Sequence, residues 1–156
     1  QTYRIINLQS ATDDKMILQR DVKVMKFVRR LAVDNPGVKN RFKLAAAITY
    51  KRDIVCVGTN HMRTHPMQKL YGKNNESIYF HAEINCISNA LNHLSRDELK
   101  KSTLYIHRVK RKSSYSLTWV DGSACPCEGC QSAIVAFDIG RVIFSTDKDE
   151  EYKEVY

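Results

Sequence analysis

Hydrophobic and polar positions along the chain follow two periods. From residue 13 or 14 to about residue 34 apolar residues recur at helical spacing, and Asn35-Pro36-Gly37 ends the run. Lys43 to Tyr50 and Asp53 to Gly58 instead have the β-branched, apolar character of strands. The two residues between them, 51 and 52, predict a hairpin.

The second half of the chain alternates between the same two patterns. Helices are predicted over 79–94 and 127–138, strands over 103–109, 115–120 and 141–145, and a capping box over 95–98. Residues 60–77 are polar and irregular, as expected of a functional or disordered segment. Residues 1–12 show little pattern and are interpreted as a flexible arm. Residues 147–156 are charged and fit a strand, a helix or a C-terminal tail. The elements together predict one α/β domain over 1–156.

Composition narrows the class of protein. The 156 residues carry a formal net charge of +8, which favours an anionic ligand such as a nucleotide or polynucleotide, although solubility alone is an equal explanation. No apolar run approaches the ~20 residues that span a bilayer, and the chain opens with no signal-peptide pattern. The five cysteines do not form a secreted disulfide framework. These features predict a cytoplasmic protein with no membrane partner.

The candidate chemistry lies in a split motif. His81-Ala82-Glu83 opens the second predicted helix, and Pro126-Cys127-Glu128-Gly129-Cys130 opens the third. The two halves match the H-x-E…P-C-x-x-C signature of zinc-dependent nucleobase deaminases. One histidine and two cysteines give a zinc ion three ligands and leave a fourth position open, as catalytic sites require.

Spacing constrains how this motif can fold. Cys127 and Cys130 are three apart and share a helix face. His81 and Glu83 are two apart, so they can face one metal only at the mouth of a helix, before its first regular turn. Either half alone is weak, since C-x-x-C also occurs in structural zinc sites and redox motifs. The conjunction of both halves at helix starts favours one catalytic zinc per chain, held by His81, Cys127 and Cys130.

The chemistry of deamination assigns Glu83 its role. Zinc lowers the pKa of a bound water towards ~7, which provides a nucleophile at neutral pH. Glu83 is then the group that moves protons between this water, the ring nitrogen and the departing amine.

With these residues the chain resembles the cytidine deaminase superfamily, and within it the deoxycytidylate deaminases and related phage proteins. The resemblance covers about Leu44 to Ser145 and implies a three-layer α/β/α fold with a central mixed sheet. It implies that Asn60, in Gly58-Thr59-Asn60, contacts the sugar, and that the Ala82 backbone and Cys125 hydrogen-bond the base. It also implies a homo-oligomer in the cytoplasm of a bacterial or phage-infected cell.

Three features depart from that family pattern. Residues 113–123 form a longer segment in which Tyr115 and Trp119 stack on a base or, for Trp119, pack on the sheet. The chain ends soon after Ser145, so the usual last strand and helix are expected to be missing. His61 and His65 are candidates for a second metal, although no cysteine partners accompany them.

Three functions follow from this pattern. The first is deamination of a free pyrimidine nucleotide, dCMP to dUMP with release of ammonia, with Arg63, Lys69 or Lys73 on the 5′-phosphate. The second is deamination of cytosine or adenine within single-stranded DNA or RNA. The third is a non-catalytic zinc-stabilised module that binds nucleic acid, which Glu83 argues against. Residues 108–112 are the next phosphate candidates if the 61–77 loop is not the phosphate site.

Overall fold

The computed structural model describes residues 3–6, 15–36, 42–62, 65–71 and 81–155. The strands are β1 (Tyr3–Ile6), β2 (Lys43–Tyr50), β3 (Asp53–Thr59), β4 (Thr103–Arg111), β5 (Trp119–Gly122), β6 (Arg141–Ser145) and β7 (Tyr152–Val155). The helices are α1 (Lys15–Val33), α2 (Pro66–Tyr71), α3 (Ala82–Ala90), α4 (Arg96–Lys100) and α5 (Glu128–Ala136). No described helix has both the length and the apolar character that crossing a membrane requires.

The strands form one mixed sheet. Its order is β1-β7-β6-β4-β2-β3, and β5 also pairs with β4. Strand β4 pairs with β2 along one edge and, along the other, first with β6 and then with β5. The pairing of β4 with β6 is parallel and the remaining pairings are antiparallel. The expected central mixed sheet is therefore confirmed.

Alternation along the central strands produces three layers. On β2, Ala46 and Ile48 join the core beneath α3 and α5, whereas Ala45 and Ala47 join the core beneath α1. Strands β4 and β6 divide their residues between the two cores in the same way. This period of two buries both faces of the sheet and gives the α/β/α arrangement.

Local signals predicted several elements closely. The hairpin turns at Lys51 and Arg52, which both have positive φ. The capping box is present, because Ser95 Oγ accepts from the Glu98 amide and the Glu98 carboxylate accepts from the Ser95 amide. The strand expected over 115–120 is shifted to Trp119–Gly122, since residues 113–118 form a turn in which Ser116 bonds back to Ser113.

Both ends of the chain form strands. Residues 3–6 form β1, not a loosely attached arm, and residues 152–155 form β7, the strand among the three alternatives for that segment. The two strands pair with each other, and β7 also pairs with β6. The last strand expected to be missing is therefore present. It pairs with the preceding strand β6 and with β1 at the other end of the chain, and only the second pairing is distant in sequence.

Helix α3 lies unusually close to the edge strand β3. A Cβ on Gly58 would come within 2.5 Å of the Cys86 amide nitrogen and 2.8 Å of the Ala82 carbonyl oxygen. The Asn85 and Asn89 side chains, one helical turn apart, donate to the Thr59 and Val57 carbonyls at 2.9 Å each. These bonds satisfy carbonyls on the open edge of the sheet. The start of α3 is thereby fixed against the end of β3.

Gly58→Ala should lower the free energy of unfolding by about 1–3 kcal/mol, because the added methyl meets backbone atoms that can move only if α3 moves. The control is Gly122→Ala, whose Cβ would meet flexible side-chain carbons of Arg108 at 3.3 Å or more. Urea unfolding of both variants measures the difference. Equal stabilities for the two variants would contradict the close approach of helix and strand.

Candidate active site

His81 occupies the mouth of α3. It is the N-cap residue, with φ −76° and ψ 150°, and its carbonyl accepts the first helical hydrogen bond from the Asn85 amide. The buried Gln68 of α2 holds the His81 backbone from the other side, because Gln68 Oε1 accepts from the His81 amide at 3.0 Å. This extended conformation is what the two-residue spacing to Glu83 required.

The cysteines occupy the corresponding position on α5. Cys127 is the N-cap residue, and its Sγ accepts from the Cys130 amide at 3.4 Å. Cys130 lies in the first turn and is fully buried. Two helix N-termini therefore point at one place, and their partial positive charge favours thiolates there.

The three side chains come together with metal-site spacing. His81 Nδ1 lies 3.3 Å from Cys130 Sγ and 3.6 Å from Cys127 Sγ. Two ligands at usual Zn–N and Zn–S bond lengths, in tetrahedral geometry, are separated by about 3.6 Å. Among the residues that the structure describes, this is the one cluster of three or more histidine, cysteine or acidic ligand atoms. The donor set and spacing fit a zinc ion with an open fourth position.

The pKa values of the two thiols are shifted in opposite directions. The pKa of Cys127 is lowered to about 4, chiefly by the hydrogen bond from Cys130 and further by His81. The pKa of Cys130 is raised, chiefly because it is the donor in the same pair and also because it is buried. The pair thus holds one thiolate beside His81 readily, and a divalent cation compensates the cost of the second.

Glu83 is the unusual carboxyl group of the site. It is 3% exposed, and its Oε1 atom has no hydrogen-bond partner among the described residues. Burial raises its pKa, an effect that the nearby His81 and a hydrogen bond with Cys130 partly oppose. Buried carboxylate oxygens are normally satisfied, so an orphaned oxygen indicates a partner supplied by water or a ligand.

A cavity of about 220 Å³ opens over these groups. Asn60, Ala82 and Cys125, the three expected substrate contacts, all line it beside His81, Glu83 and Cys127. The orientation of Asn60 is fixed, since its Oδ1 accepts from the Leu44 amide at 2.9 Å and from Asn35 Nδ2 at 2.8 Å. Its Nδ2 is therefore the polar group available to a ligand.

Arg108 and Phe42 also line the cavity, although the motif did not indicate them. The Arg108 guanidinium lies 4.4 Å from the centre of the Phe42 ring, and its Nε atom is buried with no partner among the described residues. Arg108 belongs to the basic run 108–112, which was the second place considered for phosphate. The sequence showed the positive charge of Arg108, but only the pairing of β4 with β2 brings that charge to the cavity. Nothing in the sequence indicated a role for Asn35, which donates to Asn60.

The other expected contacts lie elsewhere. Lys69 is exposed on α2 and does not line the cavity, whereas Arg63 and Lys73 lie outside the described residues. His61 and His65 do not join the cluster of metal-ligand atoms. A second metal at these two histidines therefore has no support in the described part of the chain.

The aromatic residues of the 113–123 segment do not reach the cavity. Trp119 packs on the α1 side of the sheet, between the cations of Lys43 and Arg111. Tyr115 is almost fully exposed. Packing on the sheet, the simpler of the two explanations for Trp119, is the one that the structure supports.

Comparisons with known proteins agree with this geometry. A family model described as the cytidine and deoxycytidylate deaminase zinc-binding region matches residues 18–146. Among solved structures, a cytidine deaminase from Burkholderia pseudomallei superposes with a TM-score of 0.55 at 14% identity, over 85% of this chain and 89% of that one. The apo dCMP deaminase of the cyanophage S-TIM5 superposes with a TM-score of 0.52 at 17% identity, over 85% and 86%. The search of curated proteins finds no significant match.

Cys127→Ser and His81→Ala should each lose most of the bound zinc and lower the melting temperature, because metal binding contributes to folding. The matched control is Cys125→Ser, which removes a neighbouring exposed thiol outside the ligand cluster. Zinc per chain is measured by elemental analysis after purification without chelator. Full zinc content in Cys127→Ser, or equal loss in Cys125→Ser, would rule out this ligand set.

Proposed function

The chain belongs to the cytidine and deoxycytidylate deaminase family, and we propose that it hydrolyses the exocyclic amine of a free cytosine nucleotide, converting dCMP to dUMP and ammonia. The family assigns zinc-dependent deamination. The choice of a free nucleotide as substrate rests on the shape and charge of the cavity.

One observation carries the proposal: Glu83, whose Oε1 atom is buried without a partner among the described residues, lines the same cavity as His81 and Cys127 of the ligand cluster. A structural zinc site has no use for a buried, unpartnered carboxylate, whose desolvation costs stability. The cost is understandable if Oε1 receives its hydrogen bond from a reacting group. This argues against a module that binds nucleic acid without catalysis.

Zinc held by these three residues supplies the Lewis acidity that makes water a nucleophile near neutral pH. Glu83 moves the protons. Its carboxylate takes one proton from the attacking water and delivers it to N3 of the cytosine ring. It then takes the second proton, from the hydroxyl group now on C4, and gives it to the amine, so that ammonia leaves and the C4 carbonyl forms as the C4–N bond breaks. A pKa raised by burial suits a group that must both accept and donate.

Other cavity residues orient the substrate. The Ala82 backbone and Cys125 border the base, and the buried position of Ala82 leaves little room for bulk water beside the ring. Asn60 Nδ2 donates to a sugar oxygen, because its Oδ1 is already occupied by Leu44 and Asn35. Asn35 is a positioning residue in this arrangement, since it acts through Asn60.

Arg108 is the residue we assign to the phosphate. Its guanidinium lies at the cavity, stacked over Phe42, with Nε unpaired among the described residues. A volume of about 220 Å³ accommodates one nucleotide at most. Neither Trp119 nor Tyr115 lines the cavity, and the one aromatic ring among its described lining residues, Phe42, is stacked by Arg108, which favours a single nucleotide over a series of stacked bases.

Glu83→Gln should retain zinc and fold while reducing kcat for dCMP by about 10²–10⁴-fold or more, because one group serves several proton transfers. Glu128→Gln is the control: it removes an exposed carboxylate next to Cys127 and should leave kcat nearly unchanged. Ammonia release from zinc-loaded protein is the measurement. Activity of Glu83→Gln within tenfold of the wild type would refute the assigned role.

Arg108→Ala should raise KM for dCMP by about ten- to a hundredfold, the value of one charged hydrogen bond, and leave deoxycytidine kinetics almost unchanged. Lys110→Ala is the control, because Lys110 lies on the same strand but pairs with Asp147 outside the cavity. Equal increases in KM for dCMP and deoxycytidine would show that Arg108 does not bind the phosphate. Efficient, steeply salt-dependent deamination of single-stranded DNA, with dCMP inert, would instead favour a polynucleotide substrate.

A further inference from the structure

A second pocket, of about 390 Å³, lies away from the active site. Five cations line it: Arg20 from α1, Lys51 and Arg52 from the β2–β3 turn, Lys101 after α4, and Arg141 at the start of β6. None of these five residues has a role in the proposed deamination. We call this group the basic pocket.

Register places the basic pocket at the opposite end of the sheet from the active site. Thr49, Thr103 and Arg141 lie side by side across β2, β4 and β6, and the threonines and Arg141 line the pocket. Leu44, five residues before Thr49 on β2, lines the active-site cavity. Five residues of strand span about 17 Å. The basic pocket also lies on the α1 side of the sheet, whereas His81 and Cys127 lie on the α3 and α5 side.

The basic pocket carries an excess of positive charge. Asp21 and Glu154 both pair with Arg141. Glu98 is close enough to Lys51 to feel its charge, although the hydrogen bonds of the capping box dominate its lowered pKa. No ion pair joins Arg20, Arg52 or Lys101 to a carboxylate among the described residues. Five cations against these three carboxylates leave an excess of two positive charges.

The turn residues add an independent argument. Lys51 and Arg52 have φ of 50° and 73°, the left-handed region that a tight hairpin turn requires at both central positions. Asn-Gly adopts this conformation with far less strain than two long cationic side chains. The chain therefore carries backbone strain at the two positions that place cations at the pocket. Strain of this kind is typical of binding sites.

We propose that the basic pocket is a second ligand site, which binds a polyphosphate group. Concave shape and converging cations suit several phosphate oxygens on one small ligand, and the Thr49 and Thr103 hydroxyls suit the same acceptors. The tyrosine that lines the pocket, Tyr105, is buried and its hydroxyl donates to Asp21 at 2.6 Å. The described residues that line the basic pocket thus present no aromatic face to a base, so recognition rests on the phosphates. Both pockets can be occupied at once.

The test uses pyrophosphate and tripolyphosphate as probes, titrated calorimetrically into the zinc-loaded full chain at low salt, with zinc content measured afterwards. The informative variant is Lys51→Asn with Arg52→Gly, which installs the preferred turn sequence. It should bind tripolyphosphate at least tenfold more weakly. Its melting temperature should equal or exceed that of the wild type, by up to about 2–4 °C, so loss of binding cannot be attributed to misfolding.

Two controls make the result specific. Lys112→Ala with Lys148→Ala removes the same charge from exposed positions outside the basic pocket and should change affinity less than threefold. Arg108→Ala should retain tripolyphosphate binding, which separates this site from the substrate phosphate. Equal loss in both double variants, or loss only in Arg108→Ala, would overturn the proposal. So would binding of an oligothymidylate that depends on Lys51 and Arg52 when tripolyphosphate does not bind.

Discussion

The contact between α3 and the edge strand β3 is the constraint on which the site depends. Gly58 allows the helix backbone to approach the strand, and Asn85 and Asn89 bond to the carbonyls that the edge strand leaves open. The contact covers a sheet edge that would otherwise be exposed, and it also sets where the helix begins. His81 and Glu83 lie at the start of α3, so backbone packing sets the positions of the metal-binding imidazole and of the carboxylate.

Hydrogen bonds within the protein fix the orientation of polar groups at the cavity. Asn60 has its oxygen occupied by Asn35 and Leu44, so it offers a donor to a ligand. Gln68 accepts from the His81 amide and fixes the backbone from which the imidazole reaches Cys130. Glu83 Oε1 is the contrasting case, because it is buried and unsatisfied. The site therefore combines groups that cannot reorient with one group that lacks a partner, as expected where preorganisation precedes a proton transfer.

The sequence predicted the parts of this arrangement that are encoded locally. Apolar and β-branched residues predicted β2, β3, β4 and β6. The two halves of the motif predicted the ligand cluster and the helix starts. Strand β1 was not predicted because it is short and is stabilised by pairing with β7 at the other end of the chain, and for β7 the sequence left strand, helix and tail open. Arg108 was identified only as part of a basic run, and Asn35 only as the end of a helix. The register of β2 with β4 brings Arg108 to the cavity, and a hydrogen bond joins Asn35 to Asn60, which lines it.

The net charge of +8 acquires a different meaning once the fold is known. Ion pairs add nothing to this net charge, and several cations are paired within the protein, since Arg29 pairs with the buried Asp121, and Arg141 with Asp21 and Glu154. Cations that line a cavity lie at two separate places, at Arg108 beside the active-site cavity and in the basic pocket at the other end of the sheet. A chain that bound an extended polynucleotide would be expected to join such places by a continuous basic stripe. Among the described residues they lie on opposite faces, about 17 Å apart along β2, and this separation supports the two small anionic ligands that we propose over one extended polynucleotide.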